Sequence, residues 1–191
     1  RQLTGLDASF LYLETRNAPM HIGGLSIYDP ATAPGGKIRF KQVVENFSSR
    51  VHRVPAMTSR LVTVPLRLDH PYWVSDGTFD PEFHVRHIAL PAPGDWRQLC
   101  ILISRIHARP LDRNRPLWEA YVIDGLDNVE GYPKGCFAVF TKMHHAAIDG
   151  ASGVEINAVM HDLSPEPAAV DEVQAFTVDT TPSSAELLVR A

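Results

Sequence analysis

Two apolar runs, Trp118 to Ile123 and Cys136 to Met143, most constrain how this chain folds. Each has strand length, is rich in aromatic and β-branched residues, and is apolar enough to lie centrally in a sheet. Such a sheet needs amphipathic helices against it. Phe40, Val43, Val44, Phe47 and Val51 recur at i, i+3, i+4, i+7 and i+11, the stripe of one helix. Asp95, after Pro93-Gly94, is a good N-cap for a second helix, with Trp96, Leu99, Cys100, Ile103, Ile106 and His107 as its buried stripe until Pro110. Helices and strands interleave along the chain, so the expected class is α/β, or an α+β layered sandwich, with a mixed sheet.

The remaining segments fit that scheme. Thr4 to Tyr12 reads as a short helix with Thr4 as its cap, and Met20 to Tyr28 as a strand. Gly23-Gly24 is unusual inside a strand: it signals a bulge or the close approach of another backbone or a ligand, or else a plain weak point. Arg60 to Leu66, Tyr72 to Ser75 and Phe83 to Leu90 read as short strands. Ile156, Val159, Met160 and Leu163 form a third helical stripe, stopped by Ser164-Pro165-Glu166-Pro167. From there to about Ser184 the composition is that of a linker or crossover, and Ala185 to Ala191 begins another helix. The expected division is a lobe at 1–163 and a crossover at 164–191.

Composition excludes several classes. With 191 residues, 45% of them hydrophobic, there is enough chain for a real core. The net charge of −4 is spread without long basic blocks, so nucleic acid is not an expected partner. Cys100 and Cys136 each sit in an apolar periodic segment, which fits buried free thiols in a reducing compartment. No stretch is long and apolar enough to span a bilayer, and the first residues lack the order of a signal peptide. A cytoplasmic chain is expected. Tyr72 and Trp73 are candidates for lipid contact, with core burial the commoner fate of such residues.

At the end of the second apolar run stands His144-His145-Ala146-Ala147-Ile148-Asp149-Gly150. Neutral imidazole is well suited to take a proton from a hydroxyl near pH 7. If the strand continues into this run, His144 and His145 point to opposite faces and do not share a metal ion. His21, His52, His70, His84, His87, His107 and His161 show no ligand spacing either, so no metal is expected. There is no Gly-x-Ser-x-Gly elbow, which disfavours a serine hydrolase. Gly150, Ala151, Ser152 and Gly153 at a helix entry either admit a ligand to backbone N–H groups or pack tightly. A bland alternative makes one histidine core and one solvated, with Asp149 as an N-cap and Gly150 as a turn residue. Residue types alone leave both readings open.

The run matches the His-His-x-x-x-Asp-Gly signature of the CoA-dependent acyltransferase superfamily, which includes chloramphenicol acetyltransferases, condensation domains and wax ester synthases. Pro110 to Glu119, containing Pro116-Leu117-Trp118, resembles the Pro-Leu-Trp region of the bacterial wax ester synthase/diacylglycerol acyltransferase family. Leu3 to Phe10 and Met20 to Gly24 resemble its amino-terminal region. The resemblance implies a chloramphenicol-acetyltransferase-like lobe that works with a second, C-terminal lobe. It also implies that His145 is a general base for transfer of a fatty acyl group from acyl-CoA, a substrate rather than a cofactor, to diacylglycerol or a fatty alcohol. By the same resemblance His144 orients, Asp149 braces the loop and Gly150 provides its turn. Pro116, Leu117 and Trp118 enter a strand as packing or touch substrate. Peripheral contact with a membrane or lipid droplet is implied as well. The competing readings are another superfamily acyltransferase or condensation domain, and a non-catalytic lipid-binding lobe.

Overall fold

The computed structural model of the chain describes residues 1–148, 156–162, 164 and 181–190. In chain order its elements are α1 (Gly5–Leu13), β1 (His21–Tyr28), α2 (Phe40–Arg50), α3 (Pro55–Thr58), β2 (Ser59–Val62), β3 (Tyr72–Ser75), α4 (Pro81–His84), β4 (Val85–Ala89), α5 (Trp96–His107), β5 (Trp118–Asp124) and β6 (Phe137–His144). Residues 156–160 form α6, and Ser184–Arg190 forms α7.

Strands β1, β6, β5 and β4 make one sheet in that order, so the two apolar runs are its central strands. The β1–β6 and β6–β5 pairs are antiparallel and β5–β4 is parallel. Alternation sorts their side chains onto two covered faces. Trp118, Ala120 and Val122 of β5, with Phe137, Val139 and Met143 of β6, pack under Val44 and Phe47 of α2. Tyr121, Ile123, Ala138 and Phe140 pack against Leu99 and Ile106 of α5. Leu99 is fully buried, and burying a leucine stabilises by about 1.5–3 kcal/mol. A third cluster joins Leu3, Ala8 and Leu11 to Leu111, Leu117 and Ala146, which seats α1 against the end of β6.

One charged side chain runs through the second face. Lys142 is buried, and its Nζ donates to the carbonyls of Ile106 and Arg109 at 3.0 Å each, at the C-terminal end of α5. Its charge is met by Glu119 Oε2 at 3.2 Å, and Glu119 is also paired with Arg86 and accepts from the Tyr121 hydroxyl. Burial first, then the Glu119 carboxylate, pushes the Tyr121 phenol up to about 12. A second, two-stranded antiparallel sheet pairs β2 with β3, and the N-terminal residues lie along β3 through the Trp73 N–H to Arg1 carbonyl bond of 2.7 Å.

Several local readings are corrected. Phe83 and His84 belong to α4, not to a strand: Asp80 caps this helical turn by accepting the Glu82 N–H, and Pro81 presets its first residue. The strand read to Leu66 stops at Val62, and Leu66 lies in a turn with φ of 57°. Trp96 and Cys100 are exposed on α5, while Cys136 is buried; both thiols are free. Gly23-Gly24 makes no bulge, because the β1–β6 register is continuous through it. Close approach is the reason for Gly23: a Cβ there would lie 2.9 Å from the Phe140 ring and 3.0 Å from His107. Leu163 and most of the crossover segment lie outside the described residues. Among those described, no helix is long and apolar enough to cross a membrane.

Candidate active site

The end of β6 is held from both sides. The His144 N–H donates to the Leu117 carbonyl at 3.0 Å, and the His145 N–H donates to the Met20 carbonyl at 2.9 Å. Register then sets His21 opposite His144. The strand ends at His144, and the chain tightens into a 3₁₀ turn over His145–Ala147.

His144 is 1% exposed. Its Nδ1 accepts the Ala146 N–H at 3.0 Å, so the neutral ring carries its proton on Nε2. That atom faces Glu14 Oε2 at 3.5 Å, too far for a good hydrogen bond. Burial pushes the His144 imidazole down to about 4, and the opposing pull of Glu14 is too weak to restore it. His144 is therefore uncharged near pH 7 and locked into the turn.

Glu14, just beyond α1, gathers the surrounding segments. Its carboxylate accepts from Arg113 Nη2 at 2.6 Å and from the Met20 N–H at 3.2 Å, and its Oε1 lies 3.2 Å from His21 Nε2. Arg113 also donates to the Leu11 carbonyl at the end of α1. Burial raises the Glu14 carboxyl, but the Arg113 hydrogen bond, the Met20 N–H and the Arg113 charge more than offset it, and the net shift is downward. Burial likewise lowers His21.

His145 has a different environment. It is half-buried, and its ring stacks on Phe10 of α1 with centroids 4.7 Å apart and planes 16° from parallel. Its ring nitrogens meet no hydrogen-bonding partner among the described residues. The two imidazoles thus have separate partners, and among the described residues no group of three or more His, Cys, Asp or Glu is placed to hold a metal.

Pro116 and Leu117 are fully buried, and Leu117 supplies the carbonyl that holds His144. Trp118 is 1% exposed; its Nε1 donates to the Met57 carbonyl at 2.8 Å, and the indole stacks on His84 and Phe47. Asp149, Gly150, Ala151, Ser152 and Gly153 lie outside the described residues. Sequence reasoning missed Glu14, Arg113 and Phe10 as neighbours of the histidine pair, since nothing local to the motif points to them.

Two cavities adjoin this turn. One, of about 520 Å³, has a mixed wall that includes Arg1, Asp7, Arg53 and Ser75, with Ala146, Ala147 and Ile148 from the turn. The other, of about 890 Å³, is largely apolar and lies between α2 and the β1–β6 pair. Ile148 and Ile156 line both.

The chain as a whole is similar to known proteins. Residues 3–190 match the model of the wax ester synthase/diacylglycerol acyltransferase catalytic domain. A Mycobacterium tuberculosis protein named as a diacylglycerol O-acyltransferase is 39% identical over 170 residues, covering 89% of this chain and 34% of that protein. Another from the same species, named likewise, is 36% identical over 190 residues, covering 100% of this chain and 66% of its own length. The chain thus spans about a third of the first relative and about two thirds of the second. The structure of wax ester synthase/diacylglycerol acyltransferase from Marinobacter aquaeolei superposes with a TM-score of 0.69 at 34% identity, covering 89% of this chain and 40% of that one. The first condensation domain of the calcium-dependent antibiotic synthetase shares the fold alone, with a TM-score of 0.63 at 17% identity over 83% of this chain and 35% of that one. With the family model matched along nearly its whole length, the chain belongs to the wax ester synthase/diacylglycerol acyltransferase family.

Proposed function

We propose that residues 1–163 form the first lobe of an acyl-CoA-dependent O-acyltransferase, with 164–191 leading towards a second lobe, and that His145 is its general base. The observation that carries this assignment is the unequal placement of the two histidines. His144 has its Nδ1 committed to Ala146 and is buried, whereas His145 stands at the turn with its ring braced only on Phe10 among the described residues.

In this reaction His145 removes the proton from the hydroxyl of diacylglycerol or a fatty alcohol as that oxygen bonds to the thioester carbonyl carbon. The tetrahedral intermediate collapses with cleavage of the carbon–sulfur bond, and the imidazolium returns its proton to the departing CoA thiolate. The products are an ester and free CoA, and no acyl-enzyme forms. Asp149 and Gly150 are assigned, on the family signature alone, the bracing and turning roles beside the base. The lipid substrates place the protein at the periphery of a membrane or lipid droplet.

The test is release of CoA by the full-length polypeptide from palmitoyl-CoA with hexadecanol or a diacylglycerol. His145→Ala should lower kcat by about 10²–10⁴-fold, the usual contribution of a positioned base. Turnover unchanged in that variant would overturn the assignment.

A further inference from the structure

The backbone of His145 is held on both sides: its N–H donates to the Met20 carbonyl at 2.9 Å, and its carbonyl accepts the Ile148 N–H at 3.3 Å. The imidazole still has χ1 and χ2 to turn about. A histidine that moves protons is commonly aimed by a hydrogen bond at one ring nitrogen, which leaves the other for the substrate. Among the described residues no such bond reaches His145, and what its ring meets is the face of Phe10, with centroids 4.7 Å apart and planes 16° from parallel. A stack uses the face of the imidazole and leaves its edge, where both nitrogens lie, open. The plane of the ring is thus fixed without taking up a nitrogen.

Phe10 can act as a brace because α1 is itself fixed. Ala8 and Leu11 are buried in a cluster with Leu111, Leu117 and Ala146, and Phe10 and Ala147 pack against it. Thr4 Oγ1 caps the start of the helix by accepting the Asp7 N–H at 3.1 Å. At its end the Phe10 carbonyl accepts the Glu14 N–H at 3.1 Å, and the Leu11 carbonyl accepts from Arg113 Nη2 at 3.0 Å. Ala146 and Ala147 belong to the turn that begins at His145, so the surface that seats α1 is the turn that carries the base. The two stacked rings therefore ride on elements locked to each other.

The stack also has an electrostatic consequence. The face of an aromatic ring is negative, and a cation within about 6 Å of its centroid is attracted to it. When His145 takes the hydroxyl proton it becomes such a cation, with the Phe10 face already in place and no reorganisation needed. The neutral imidazole gains less from that face than the imidazolium does. An interaction that strengthens as the proton moves raises kcat and leaves KM alone.

We infer that Phe10 is the positioning residue of the general base: its ring holds the plane of the His145 imidazole, and its face stabilises the imidazolium formed during proton transfer. The proton passes from the hydroxyl oxygen to an imidazole nitrogen and later to the CoA thiolate, and Phe10 exchanges none. This role rests on the assignment of His145 as the base, proposed above.

The experiment uses the full-length polypeptide with mono-, di- and trifluorinated phenylalanine at position 10, which drain the ring face in steps while nearly keeping its shape. CoA release from palmitoyl-CoA with hexadecanol is the readout. Each added fluorine should lower kcat, reaching about tenfold for the trifluorinated ring, while KM for both substrates stays at the parental value. Phe10→Leu should lose at least as much, and Phe10→Tyr, which keeps the face, should stay within about twofold of the parent. A flat kcat across the fluorinated series, or a loss confined to KM, overturns the role of the face. So does the same fluorine dependence in the residual turnover of a His145→Ala background, where no imidazolium forms. The two assignments are separable: parental turnover in His145→Ala overturns the base, whereas loss of turnover there with a flat fluorine series overturns Phe10 alone.

Discussion

At the scale of single residues, adjacency in sequence does not mean equivalence in chemistry. His144 and His145 are successive, yet one is buried with its Nδ1 accepting a backbone N–H and the other rests on an aromatic ring. The difference has a pH signature. In the unfolded chain His144 takes a proton near its ordinary 6.5, whereas the folded protein resists it until about 4. The unfolded state therefore binds more protons between those values, and stability falls as pH drops through that window. His144 alone should account for roughly 3 kcal/mol across it. Burial lowers His21 and His84 as well, which adds to the loss in the same direction. Urea unfolding from pH 7 to pH 4 should show the decline, and His144→Gln should flatten it; an identical slope in that variant would remove His144 as the cause. The motif made the pair legible from sequence alone. Its environment was not legible, because Glu14 and Arg113 are 99 residues apart and meet only in the fold.

At the scale of elements, periodicity carried most of the information. Helices α2 and α5 and the central strands β5 and β6 were legible as elements, because one long amphipathic or apolar segment leaves few alternatives, although Trp96 and Cys100 of the expected α5 stripe are exposed. Short segments were less legible. Asp80-Pro81-Glu82 carried a capping signal, but the alternating run after it masked a single helical turn. Strand β1 shows how much an element can conceal: its two glycines face opposite sides of the sheet and answer to different neighbours. Gly23→Val should cost about 1–3 kcal/mol, the usual penalty for overpacking, because it collides with the buried Phe140 ring. Gly24→Leu should be tolerated better, since its Cβ meets only the Thr141 hydroxyl, at 3.2 Å, and the rest of the side chain extends into the apolar cavity. Comparing the two urea midpoints checks this, and equal losses would contradict the opposed roles of the two positions.

At the scale of the whole molecule, the sheet divides the labour between its faces. The α2 side leaves a deep apolar trough, and the α5 side is packed tightly around a buried ionic group. The α2 side keeps a buried cluster of its own around Trp118, Val122 and Phe47, so the trough coexists with a packed core on the same face. The buried ammonium of Lys142 also gives the folded state a chemical reporter. Lys37, Lys41 and Lys134 are exposed, while Lys142 is enclosed and holds two helix-end carbonyls. Under brief treatment with an amine-acylating reagent the first three should be modified and Lys142 spared, as read by peptide mass spectrometry. Early labelling of Lys142 in the native protein would contradict its enclosure. Its delayed labelling would instead time the separation of α5 from the sheet, so that one covalent mark counts the moments when the closed face opens.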